Sequence, residues 1–189
     1  MPLPEDETRI QPLAEMETEL ETEPNGLVSD GVQRNIMDQL RAVRDEQTAG
    51  VTCYIAVPGY RGQLKAEYGV LPTKEMSNMG RKVERQFKDA ADRQLNGLID
   101  ILISACEGLF YVEEDGSLTA LDPDNSGVPL TYTDNRTADF FKLGEVTSAR
   151  GCLMGVFLNN EPSILAHGLK LSRWYEDTSK EVDESFLGE

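Results

Sequence analysis

Two runs of alternating apolar and polar residues on either side of a glycine-rich turn constrain this chain more than any other feature. From Val51 onward, Cys53, Ile55 and Val57 alternate with Thr52, Tyr54 and Ala56, the period of a strand with one buried face. Leu64, Ala66, Tyr68 and Val70 alternate in the same way with Lys65, Glu67 and Gly69. Pro58-Gly59-Tyr60-Arg61-Gly62 reverses the chain between them, so the spacing predicts an antiparallel hairpin.

Beyond it the apolar period changes to that of helices. Thr73 reads as a cap for a helical region from about Lys74 to Leu109, interrupted near Asp89. Its second half carries Leu95, Leu98, Ile99, Leu102, Cys106 and Leu109, a stripe wide enough for a central helix, which Gly108 weakens at its end. Tyr111-Val112 and Leu118-Thr119 flank Glu114-Asp115-Gly116-Ser117, a second hairpin signal, and a loop from Asp122 to Asn135 follows. Three helices are then expected over about 136–143, 148–158 and 162–176. Thr147 or Ser148 caps the middle one, whose apolar face is Ala149, Cys152, Leu153, Val156 and Phe157. Pro162 suits the first turn of the last, on which Ile164, Gly168, Leu171 and Tyr175 share a face. The expected class is α+β, mainly α: an N-terminal β-hairpin, then a helical domain with a second small hairpin, between disordered acidic ends.

Those ends hold most of the charge. The chain has 189 residues and a formal charge of −16. Residues 1–30 contain nine acids and one arginine, and residues 176–189 six acids and one lysine, which leaves a net of −3 for everything between. In the leader, Glu15-Met16-Glu17-Thr18-Glu19-Leu20-Glu21-Thr22-Glu23 alternates like a strand, but its carboxylates repel and its apolar surface is too small to offset the entropy of ordering. The organisation expected is a disordered leader over 1–30, a short helix and linker over 31–50, one folded domain over 51–176 and a flexible acidic tail over 177–189. The helix, at about 32–46, is capped by Ser29 or Asp30 and carries Val32, Ile36, Leu40 and Val43 at helical spacing, as a docking helix would. Pro2 through Glu7 lack the start of a signal peptide and no run nears about 20 apolar residues, so neither membrane nor export is expected. The net charge disfavours nucleic acid. Cys53, Cys106 and Cys152, odd in number and far apart, read as reduced core thiols.

Catalytic, cofactor and metal chemistry find no coherent set of residues. His167 is the single histidine and reads as packed rather than catalytic. Asp122-Pro123-Asp124-Asn125-Ser126-Gly127 opens like a calcium loop, but Thr133 stands where the twelfth position needs a bidentate glutamate, and a solvated turn accounts for it. The glycines match neither phosphate-binding pattern. Lys74, Arg81, Lys82, Arg85 and Lys88 form a basic run that reads as a solvated helix face, or one able to hold an acidic tail of this chain or a neighbour. Tyr60 and Arg61 at the hairpin tip, Trp174 and Tyr175, and Phe186 and Leu187 in the tail are the candidates for contact with a partner.

The order of segments resembles a known family. It runs from an acidic leader and short helix through Val57-Pro58-Gly59-Tyr60-Arg61-Gly62-Gln63-Leu64-Lys65-Ala66-Glu67-Tyr68 and an amphipathic helical stretch. The Glu113-Glu114-Asp115-Gly116 hairpin, Thr147-Ser148-Ala149-Arg150, Val156-Phe157 and Ile164 through Trp174 follow. Over roughly residues 30–176 this order is similar to the tail assembly chaperones of long-tailed bacteriophages, especially those of actinobacteria. The resemblance implies a non-enzymatic protein of the host cell cytoplasm without cofactors. It would bind the tape measure protein, keep it soluble, and recruit tail tube protein, with self-association open. Many such chaperones exist in a short form and a frameshifted longer one; ending at Glu189, this chain would be the short form. The alternative is a virion structural protein, such as a tail completion or head–tail connector subunit. An acidic mimic of nucleic acid fits less well, because the charge lies at the ends and not on a rigid face.

In the chaperone reading, like charge on the ends resists condensation of the assembly. Deleting residues 1–30 is therefore expected to lower the soluble fraction of a co-expressed tape measure fragment. An unchanged fraction would remove the leader from the mechanism.

Overall fold

A computed structural model describes residues 38–187, with side chains as far as Lys180. The fold described is that of the compact unit Leu40–Glu189. The leader expected to be disordered, and the helix start near Ser29 and Asp30, lie outside the described residues.

Helix α1 covers 38–48. Strands β1 (Thr52–Ala56) and β2 (Leu64–Gly69) pair antiparallel, from Thr52 opposite Gly69 to Ala56 opposite Lys65, as the alternation predicts. The turn is closed by Val57 N–H donating to the Leu64 carbonyl and Gln63 N–H to that of Tyr60, both at 2.9 Å. Helices α2 (Thr73–Gln86) and α3 (Ala90–Ala105) follow, divided where expected. Asp89 is the reason for the break: its carboxylate accepts from the N–H groups of Ala91 and Asp92 and starts α3. Thr73 does not cap α2. Pro72 holds the cap position without a side-chain bond, and Asp45 of α1 accepts from Thr73 N–H at 3.1 Å and from its hydroxyl at 3.0 Å.

The helical region also ends earlier than expected. Residues 106–109 are strand, because α3 passes directly into β3 (Cys106–Val112). β3 pairs antiparallel with β2, with a bulge that sets Tyr68 opposite Cys106 and Glu67 opposite Gly108, and β4 (Leu118–Ala120) completes the second hairpin. The two expected hairpins are therefore not separate: they join along β2 and β3 into one sheet of order β1-β2-β3-β4. The class is α+β, mainly α.

Helices α4 (Asn135–Phe140) and α5 (Ala149–Val156) are capped by Asp134 and Ser148. Helix α6 (Glu161–Leu187) starts at Asn160, whose side-chain oxygen accepts from Ser163 N–H at 3.1 Å. It does not stop near 176: the segment expected as a flexible tail continues the helix to Leu187. No glycine or proline interrupts the sequence between Gly168 and Gly188, Thr178 is buried, and Lys180 pairs with Asp177 at 3.5 Å. Among the described residues no helix is long and apolar enough to cross a membrane.

The core lies on one face of the sheet, where Leu64, Ala66 and Tyr68 meet Ile99, Leu102, Leu109, Ile164 and Leu171. The other face carries Tyr54, Lys65, Glu67 and Phe110, with Tyr54 stacked edge-on to Phe110 and its hydroxyl donating to Glu67 at 2.6 Å. All three cysteines are free thiols, and burial pushes Cys53 up to about 11 and Cys106 up to about 12, so both stay protonated at neutral pH.

A polar cluster sits at the centre of the core. The Tyr68 hydroxyl lies 2.9 Å from His167 Nε2 and 3.2 Å from the Tyr132 hydroxyl, with all three side chains buried. The protons that satisfy most atoms run from Tyr132 to Tyr68 and from Tyr68 to Nε2, which leaves a hydrogen on Nδ1. Nδ1 has no hydrogen-bond partner, although the nearby Ala56 backbone favours a proton on the ring. Burial, assisted by the like charge of Lys170, outweighs that influence and pushes the imidazole pKa down to about 4.

Because the folded pKa lies below the ordinary value of 6.5, the unfolded chain takes up the proton first. His167 therefore stabilises the fold fully above about pH 6.5, and on the order of 3 kcal/mol is lost as pH falls from there to about 4. Denaturant titrations across this window should show a steeper loss for the wild-type chain than for His167→Phe. Equal slopes would contradict the burial argument.

Candidate protein-binding surface

Helices α2 and α3 form a helical hairpin whose two arms are unequally anchored. Helix α3 buries Asn96, Leu98, Ile99, Leu102 and Ala105, whereas α2 buries only Val83. Met76, Met79, Gly80 and Val83 recur along α2 at spacings of three and four, the side of the helix that turns toward α3. Gln94, Gly97 and Ile101 answer them on α3, and between the two rows lies an open seam of about 420 Å³, also bordered by Glu84 and Arg93. A Cβ added at Gly80 or Gly97 would meet no atom within 4 Å. Glycine thus stands on both walls where a larger residue would fill the gap, and the methionines supply adaptable apolar surface.

The electrostatics of this hairpin differ from those of the chain. Lys74, Arg81, Lys82, Arg85 and Lys88 are exposed, and the Lys82 ammonium pairs with Asp100 at 2.9 Å. Arg93 donates to the carbonyls of Phe87 and Lys88 at 3.4 and 2.7 Å, bracing the joint. Residues 73–105, the two helices and their joint, hold six basic and five acidic side chains, a net of +1 within a chain of −16.

The expected contact residues fall elsewhere and are not brought together. The Tyr60 hydroxyl donates to the Val156 carbonyl at 2.9 Å and its ring meets Phe141 edge-on, so it ties the hairpin tip to α5. Arg61 beside it is exposed, with a left-handed φ of 52°. Trp174 and Tyr175 pack against the core, and the Tyr175 hydroxyl donates to the Gly69 carbonyl at 2.8 Å. The backbone at Phe186 and Leu187 belongs to α6, and their side chains lie outside the described residues. Nothing in the apolar pattern singled out the seam; the signal was two glycines inside helices whose facing stripe is rich in methionine.

Helix α1 is inverted. Thr48 is buried and Asp45 caps α2, while Leu40 and Val43, on the opposite side of the helix, are 59% and 44% exposed. Of the stripe expected for a docking helix, Val32 and Ile36 lie outside the described residues.

The calcium-like loop is built around a side chain. Arg136 lies among Asp122, Asp124 and Asp134, with N···O distances of 3.3, 3.4 and 2.6 Å, and also donates to Ser126 and the Val128 carbonyl. Its hydrogen bond to Asp134 holds that carboxyl below the usual range. Among the described residues, no group of three or more metal-ligating side chains is placed to hold an ion.

The open seam has a measurable signature. Gly97→Ala should stabilise the chain by about 0.5–1 kcal/mol, since alanine suits a helix interior and its methyl finds space. Gly168→Ala should destabilise it, because the new Cβ would lie 3.0 Å from Leu98 Cβ, where α6 crosses α3. Equilibrium unfolding decides both signs; a destabilising Gly97→Ala would mean that the seam is closed.

No protein-family model matches this chain, and neither the curated proteins nor the solved structures contain a match.

Proposed function

We propose that this chain is a non-enzymatic phage tail assembly chaperone that binds the tape measure protein and assists assembly of the tail tube. The observation that carries the reading is the apolar α2–α3 seam, open on a strongly acidic chain. A tape measure protein is a long helix with apolar stripes that condense in water when bare. Its chaperone needs apolar surface to cover a stripe and net charge to keep the covered assembly dispersed. The seam supplies the first and the charge of −16 the second. The segment order quoted above supports the same family. Recruitment of tail tube protein and residence in the host cytoplasm belong to this reading.

Co-expression with the tape measure protein encoded near it is the test. The tape measure protein should move into the soluble fraction, co-purify with this chain, and elute with it as one species by size exclusion with light scattering. A partner that stays insoluble while this chain elutes alone would overturn the reading, and detection of the chain in purified virions would assign it to a structural role.

A further inference from the structure

We propose that the outward row of cations on α2 holds an acidic segment of a partner protein, its carboxylates in single file along the helix. This goes beyond the chaperone reading, which concerns the seam on the opposite side of α2 and is not needed here.

Lys74, Arg81 and Arg85 stand at i, i+7 and i+11 of α2, which places them within about 40° of arc and over a length of about 17 Å. All three are exposed, and their row lies roughly half a turn from Met76, Met79 and Val83. Lys88, also exposed, follows just past the helix end. Glu75 and Glu84, the acids of α2, lie roughly 60° or more to either side of the row. Among the described residues none of these four cations has an ion-pair partner, whereas Lys82, one row over, is neutralised by Asp100 at 2.9 Å.

The row works against its own helix. Arg81 and Arg85 repel as like charges four positions apart, and Lys74 sits in the first turn, where the helix dipole disfavours a cation. No ion pair within the described residues offsets either cost. A strip of carboxylates laid along the row removes both, and each arginine can hold one with two parallel N–H donors. Charges beyond roughly 8 Å are screened at physiological salt, so an acidic partner meets this row before it meets the chain's total of −16. A single nucleic-acid strand is held instead by cations interleaved with aromatic rings, and Ser77 and Asn78 are what stand between Lys74 and Arg81 on this side of the helix.

The test titrates two labelled peptides, one alternating glutamate with alanine and one glutamine with alanine, against the full chain by fluorescence anisotropy. The glutamate peptide should bind at least about tenfold tighter, by an advantage that shrinks as salt is raised. Arg81→Gln and Arg85→Gln, verified as folded by circular dichroism, should each weaken it about threefold or more, and together about tenfold. Lys82→Gln removes an equal charge from the neighbouring row and should change binding less than about twofold. Equal binding of the two peptides, a loss in Lys82→Gln as large as in Arg81→Gln, or tighter binding of a single-stranded oligonucleotide of equal charge overturns the inference. So does a full-length chain carrying Glu15→Gln, Glu17→Gln, Glu19→Gln, Glu21→Gln and Glu23→Gln that binds the glutamate peptide about tenfold tighter than wild type, which would give the row to the chain's own leader. The tape measure protein enters none of these measurements, so the failure of one reading leaves the other standing.

Discussion

The pairing of β2 with β3 is the interaction on which the rest of this fold depends. Either hairpin alone would be a marginal two-stranded ribbon with one apolar face in water. Joined through that pairing they become a four-stranded sheet whose inner face can be covered by α3, α5 and α6. The same pairing dictates the excursion between the two strands. The chain must leave β2 and return beside it in the opposite direction, and α3, running straight into β3, is fixed by that return. Helix α2 completes the reversal without being needed in the core, which explains why it buries one residue where α3 buries five.

This division of labour separates stability from binding surface. Leu64, Ala66, Tyr68, Ile99, Leu102, Ile164 and Leu171 form one continuous apolar interior, anchored by the tyrosine–histidine cluster at its centre. A buried polar cluster of this kind penalises alternative packings, because any shift that breaks it leaves hydroxyls without partners. The outlying helix can then present glycine and methionine with no cost to the interior. Its attachment also passes through Asp45 of α1, 28 positions from the Thr73 groups it bonds.

Local signals in the sequence determine structure legibly because they act over a few residues. The β1–β2 hairpin, the Asp89 break, the Ser148 cap and Pro162 in the first turn of α6 each follow from a turn, a period or a cap within reach of one another. The departures from the local pattern share a different cause. Cys106 and Leu109 fit the helical stripe of Leu95 through Leu102 as well as they fit a strand, and only pairing with β2 decides between them. The helix beyond 176 was hidden by its acidity, which suggests solvent but does not forbid a helix that lacks glycine and proline. Thr73 looked like a cap because the residue that serves lies on another element. Of the candidate surface, the helices and the basic run were legible; the seam was not, since an unfilled space depends on what faces each glycine. Residue type alone marks Tyr60 and Tyr175 as contact residues, whereas their hydroxyls are engaged by carbonyls far along the chain.

The loop around Arg136 shows what a tethered cation can do that a dissolved one cannot. A guanidinium carried on the same chain meets Asp122, Asp124 and Asp134 at an effective concentration in the millimolar range or above, set by roughly a dozen residues of tether rather than by the surrounding medium. It cannot be removed by a chelator or exchanged for another ion. The three carboxylates accordingly carry a counter-charge with them, whatever the ionic composition of the medium.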